Sequence, residues 1–129
     1  MKEHGSYTIS VKDNLIISHF FGAWNIEETE LYADHVKELA APLSSQPWAR
    51  IIDLTSWEGG GVEIISPLRI LQHWAENNNC HHVVFISPPL LPKYMLEKYG
   101  DPYGDYKICE NLDEAINWVK QKLNLFLVR

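Results

Sequence analysis

The sequence predicts an α/β domain built on a mostly parallel five-stranded sheet with an antiparallel first strand, in the order β-β-α-β-α-β-α-β-α. Three observations carry this. Short apolar runs, Ile51-Ile52-Asp53-Leu54 and Val83-Val84-Phe85-Ile86, are closed by polar and turn residues, as buried strands are. Helix-start signatures stand between them at Asn25-Ile26-Glu27-Glu28, Ser66-Pro67 and Asn111-Leu112-Asp113-Glu114. Asp13-Asn14 joins two strand-like runs at the amino end.

Residues 7–11 alternate Tyr7, Ile9 and Val11 with Thr8 and Ser10, so the first strand has one wet face. Residues 15–24 are more apolar, as an interior strand would be, and Asp13 and Asn14 tolerate the left-handed angles of a tight turn. Asn25 is placed to accept an early helical amide, and Leu31, His35 or Val36, Leu39 and Leu43 recur at helical spacing. Pro42 and Pro47 end that helix and lead to the central strand, expected to stop at Thr55-Ser56 and open into a loop through Gly59-Gly60-Gly61. Ser66 is expected at the cap of the second helix with Pro67 at its first position. Asn77-Asn78-Asn79 breaks it, and the strand at 83–86 follows. A third helix over 91–99, a short strand over 106–109 and a last helix carrying Ala115, Ile116, Val119 and Leu123 complete the order.

A chain of 129 residues makes one core, and a hydrophobic fraction of 46% with 22% charged residues describes a globular protein. The net charge of −6 and the absence of a Lys/Arg cluster exclude a non-specific nucleic-acid binder. Two cysteines, Cys80 and Cys109, without a secretion signal, lead us to expect reduced thiols and a cytoplasmic home. No apolar run reaches the roughly 20 residues of a bilayer span, so no stable membrane insertion is expected.

The strand order and Ile51-Ile52-Asp53-Leu54-Thr55, leading through a loop to a helix start at Ser66, resemble the STAS domain, and most of all its stand-alone SpoIIAA-like proteins. The resemblance spans nearly the whole chain in element order. In residues it rests on the central strand, Trp57-Glu58-Gly59 and the strand at 83–86. In the phospho-regulated antagonists of that superfamily an Asp-Ser-Ser-Gly-type motif carries a switch serine, and Ser66 matches it by position. No acidic residue precedes Ser66, and Pro67 follows where glycine is expected. The resemblance therefore implies the SpoIIAA-like group, for which lipid or small-ligand binding has been proposed.

Parallel sheets present ligands and partners with the carboxyl ends of their strands. That places Asp53, Thr55, Ser56 and Ser87 on one polar floor, where Asp53 either meets a ligand or accepts hydrogen bonds from loop amides. No histidine lies in these strand-end segments, which disfavours a nucleophilic triad. Trp57-Glu58-Gly59-Gly60-Gly61 could wrap an anion against the next helix start, or be a flexible loop. Cys80, His81, His82 and His73 are metal-friendly, yet adjacent residues on a strand cannot all converge, so no metal and no cofactor is expected. Tyr94, Met95, Tyr99 and Tyr103 either form an aromatic lid over an apolar pocket or a core helix with wet hydroxyls. The apolar tail, Leu123 to Arg129, either docks on its own core or makes a homodimer.

The expected function is a non-catalytic regulatory domain that binds a protein partner through Asp53, Thr55, Ser56, Trp57, Glu58, Gly59, Ser66, Ser87 and Tyr94. The alternative is a carrier or sensor of a small apolar or lipid-like ligand. An enzyme using Asp53 or Glu58 as acid or base comes third, since no paired carboxylate or base–nucleophile spacing supports it.

Overall fold

A computed structural model describes residues 5–87 and 106–127, with the side chains of the last three left out. The elements are β1 (Ser6–Lys12), β2 (Leu15–Trp24), α1 (Ile26–Ala40), β3 (Trp48–Gly60), α2 (Ile65–Glu76), β4 (Cys80–Ile86), β5 (Tyr106–Cys109) and α3 (Leu112–Leu127). They form one five-stranded sheet in the order β1-β2-β3-β4-β5, with β1 antiparallel to β2 and the remaining pairs parallel. The helix expected at 91–99 lies outside the described residues.

Local chemistry accounts for the element starts. Asp13 turns the first hairpin at φ 56°, an angle that Asp tolerates better than most residues. The Asn25 side chain accepts from the Glu28 amide at 2.9 Å, and Asn111 does the same for Glu114 at 2.9 Å. Glu114 reaches back to the Glu110 amide at 3.0 Å, closing a reciprocal cap at the start of α3.

Two apolar layers flank the sheet. On one face α1 and α2 bury Tyr32, Val36, Leu68 and Leu71 against Ile16, Phe20, Trp48, Ile52, Leu54 and Phe85. On the other, α3 lays Ala115, Val119 and Leu123 over Leu15, Ala49, Ile51, Val84 and Ile86. Leu123, the first residue of the apolar tail, thus docks on its own chain. The first layer is strongly aromatic: Phe20 stacks on Trp24 with centroids 4.1 Å apart, and Tyr32 meets Tyr7 edge-on at 5.1 Å.

Arg50 is buried in that layer, 2% exposed. Its Nη1 donates to Gln72 Oε1 at 2.6 Å and its Nη2 to the Tyr32 hydroxyl at 3.0 Å, while Tyr32 shares a 2.7 Å hydrogen bond with Ser18. One guanidinium on β3 therefore ties α1, α2 and β2 together.

Ile51 to Leu54 is interior, with β2 on one side and β4 on the other as far as the Asp53↔Ile86 pair. The expected end of the strand at Thr55-Ser56 and the glycine loop are corrected. β3 runs on to Gly60, paired among the described residues with β2 alone, through Phe21↔Ser56, Gly22↔Trp57, Ala23↔Gly59 and Trp24↔Gly60. The glycines serve this pairing. Gly59 adopts φ 81°, and a Cβ at Gly60 would sit 2.6 Å from the Trp24 carbonyl oxygen.

Cys80 packs in the first layer, and burial pushes its thiol up from the ordinary 9.0 to about 11 against the opposing pull of the Arg50 charge. An unfolded thiol loses its proton first, so this contribution is complete below about pH 9 and is lost as pH rises towards 11. Unfolding free energies of wild type and Cys80→Ala from urea titrations, compared between those limits, should converge by up to ~1.4 kcal/mol per pH unit. A constant difference would mean that the thiol titrates normally.

Candidate functional site

The described candidates separate into three environments. Asp53 is the last β3 residue held from both sides. Its Oδ1 accepts from the Thr55 amide at 2.9 Å and from the Thr55 hydroxyl at 2.7 Å. Just there the β2–β3 register slips, from His19↔Asp53 to Phe21↔Ser56, so β3 takes three steps to two in β2. The carboxylate caps this bulge, satisfying a backbone amide that the ladder releases.

The strand-end segments themselves hold no histidine, yet the same register brings one to Asp53 from the middle of a neighbouring strand. His19, midway along β2, stands opposite Asp53, with Nε2 3.8 Å from Oδ2. Its ring stacks on Phe21 with centroids 4.3 Å apart, and the two polar side chains keep 34% and 20% of their surface exposed. At 3.8 Å the pair is an ion-pair contact when His19 is protonated, not a hydrogen bond.

Trp57 is pulled the other way. Expected at the surface, it is 7% exposed and packs edge-on to Phe20 at 5.4 Å and to Trp24 at 6.0 Å. A second slip, from Gly22↔Trp57 to Ala23↔Gly59, leaves Glu58 as the extra residue and keeps Trp57 facing inward. Glu58 is exposed and Gly59 is buried.

The third environment is the β3–α2 junction. A 3-10 turn, Val62–Ile64, precedes α2, and Ile64, fully buried, occupies the cap position without a side-chain hydrogen bond. The expectation that Ser66 caps the helix is therefore corrected: Ser66 lies inside the first turn, exposed, with Pro67 after it. The turn moves the helix start upstream because burying Ile64 fixes the chain before Ser66 is reached. Val62 projects outward, 76% exposed. Ser87 follows Ile86 at the end of β4 and is half-buried. Tyr94, with the rest of the aromatic lid, lies outside the described residues.

Exposed Thr55, Ser56, Glu58, Val62, Glu63 and Ser66 thus follow one another in the chain from the last part of β3 into the first turn of α2, a stretch called the rim below. Beneath the rim, Phe20, Ile52, Leu54, Trp57, Leu68 and Phe85 enclose an apolar space of about 20 Å³, with Arg50 at its wall. A small-molecule site needs roughly 300–1,000 Å³. Cys80 and His82 face different layers, because β4 slips one residue against β3 between Trp48↔Cys80 and Ala49↔His82. His82 meets Trp118 of α3 edge-on at 5.6 Å. Among the described residues no group of three or more His, Cys, Asp or Glu is placed to hold a metal, and no helix is long and apolar enough to cross a membrane.

This order of strands and layers is a SpoIIAA-like fold. A structure described as an uncharacterized DUF3478-family protein with a SpoIIAA-like fold, from Shewanella loihica, matches with a TM-score of 0.69 at 15% identity, over 92% of this chain and 98% of that one. The anti-sigma factor antagonist SpoIIAA in its unphosphorylated form matches with a TM-score of 0.69 at 11% identity, over 89% and 98%. An anti-sigma factor antagonist from Mycobacterium paratuberculosis gives 0.63 at 17% identity, over 90% and 94%. No protein-family model and no curated protein matches the chain.

The two roles of Asp53 can be separated. Asp53→Ala removes both hydrogen bonds to Thr55 and should lower unfolding stability by about 1–2 kcal/mol in urea, with the far-ultraviolet spectrum kept. Asp53→Asn retains an acceptor and should lose less than half as much. Equal losses in the two variants would assign the stability to charge pairing with His19 instead of to the bulge.

Proposed function

We propose that the chain is a regulatory interaction domain, without catalytic function, that docks a protein partner on the rim formed by Thr55, Ser56, Glu58, Val62, Glu63 and Ser66. The observation that carries this reading is Val62. An apolar side chain 76% exposed stands between two anchors, Trp57 and Ile64, that are 7% and 0% exposed. The junction is therefore rigid while its apex is apolar and wet, which is what a partner-binding anchor requires. Hydroxyls and carboxylates on either side supply a polar surround.

Two neighbours of this fold are described as anti-sigma factor antagonists, which supports a regulatory protein–protein role. Asp53 shapes the start of the rim through its two hydrogen bonds to Thr55. The small-ligand alternative places its ligand between the central strand end and the helix expected at 91–99, which lies outside the described residues; the space lined by Phe20, Leu54, Trp57 and Leu68 holds about 20 Å³ by itself. Two buried, free thiols fit a reducing cytoplasm.

Site-specific photo-crosslinking in the native host tests the rim. A benzophenone side chain at position 62 or 66 should give an adduct with the same protein, and one at Ser45, beyond the opposite end of β3, should not. With the adduct identified and purified, Val62→Asp should weaken its binding about tenfold or more. Equal adducts from positions 62 and 45, or none from 62 and 66, would remove this reading.

A further inference from the structure

The outer surface of the α1/α2 layer carries a second feature. The two helices leave a groove of about 280 Å³ between them. Its floor is apolar, Ala33 and Leu71, 8% and 1% exposed. One wall is Pro67 and Ile70 of α2, and the other is Glu30 and Asp34 of α1, with Lys37 at one end.

Ile70 is 59% exposed. A single exposed isoleucine is ordinary, but this one borders a concavity with an apolar floor. The core does not account for it: α2 buries Leu68, Leu71, Gln72 and Ala75, and Ile70 falls outside that stripe. The groove is too small and open for a drug-sized molecule, yet roomy enough for bulky side chains of another chain.

The charges identify the visitor. Glu27, Glu30, Asp34 and Glu38 are all exposed on α1, at helical spacings of three and four, and Lys37 is the basic residue among them. Like charges so spaced repel by about 0.2–0.5 kcal/mol per pair, a cost the free chain carries and a cationic partner would relieve. We propose that this groove receives a basic amphipathic segment of a partner protein, which seats an apolar side chain on Ala33 and Leu71 beside Ile70 while its Lys or Arg residues face Glu30 and Asp34. The mode is that of a helix laid in a groove. The groove adjoins the rim, since Pro67 follows Ser66, but a basic segment can occupy it whether or not the rim is engaged.

Amide shifts of the isotope-labelled protein test this with three synthetic peptides. They are a Lys/Leu peptide with leucines at helical spacing, its scrambled isomer, and the matching Glu/Leu peptide. The first should shift residues 30–37 and 67–71 in a saturable manner, and the other two should not. Glu30→Lys with Asp34→Lys, and separately Ile70→Asp, should each weaken binding about tenfold, while Val62→Asp should leave it unchanged. Four results would overturn the proposal: no saturable shift, equal binding of the scrambled peptide, loss in Val62→Asp, or shifts of these residues on self-dilution alone, which would seat a second copy there. Because the rim variant is scored separately, blank photo-crosslinks from position 62 would count against the rim and not against the groove.

Discussion

The arrangement depends on what a guanidinium requires once it is taken out of water. Arg50 sits on the central strand at 2% exposure, and a buried charge is tolerated only when its donors are matched. Two partners are Gln72 of α2 and the Tyr32 hydroxyl of α1, and Tyr32 is held in turn by Ser18 of β2. Hydrophobic contact alone would let two helices slide on a sheet. Directional bonds at 2.6–3.0 Å fix them, and with them the walls of the groove that opens on their outer side.

A second constraint is the asymmetric environment of β3. Up to Asp53 it lies between parallel neighbours; beyond Asp53, among the described residues, only β2 accompanies it. A strand held on one side can twist and bulge more freely, and β3 does so at the Thr55 step and again at Glu58. Each bulge resets which residues face inward. The first gives Asp53 a backbone amide to satisfy, and the second brings Trp57 under the sheet while turning Glu58 out. The rim is the product of these two slips.

The fold was legible because its signals are local. Asn25 and Asn111 cap the helices they were expected to cap, Asp13 turns the hairpin, and the apolar runs at 51–54 and 83–86 became paired interior strands. The candidate site was legible only in part, because its signals are not local. Glycines at 59–61 read as a loop, since the close passage of Trp24 that Gly60 permits belongs to another strand. Ser66 with Pro67 read as a cap, since the burial of Ile64 is invisible without α2 in place. His19 escaped notice because only the parallel register of β2 against β3 sets it opposite Asp53. Arg50 drew no reading of its own, although a lone cation inside an apolar run was the available clue.

The filled interior also bears on where function can reside. Phe20, Trp24, Tyr32 and Trp57 interlock with centroids 4.1–6.0 Å apart, and Tyr7 closes the cluster from the edge strand. Rings in such mutual contact leave little room for rearrangement, because a close-packed core shifts only at the cost of lost contacts. A ligand entering between the sheet and its two helices would have to part these rings and break the Arg50 bonds together. Apolar relief on this face therefore lies outward, where the core supports it without enclosing it. Val62 at the junction and Ile70 beside the groove are the apolar parts of that relief, each held by buried neighbours one or two residues away. A domain made this way presents a close-packed support, and the two bulges and the two helices decide which side chains it turns towards water.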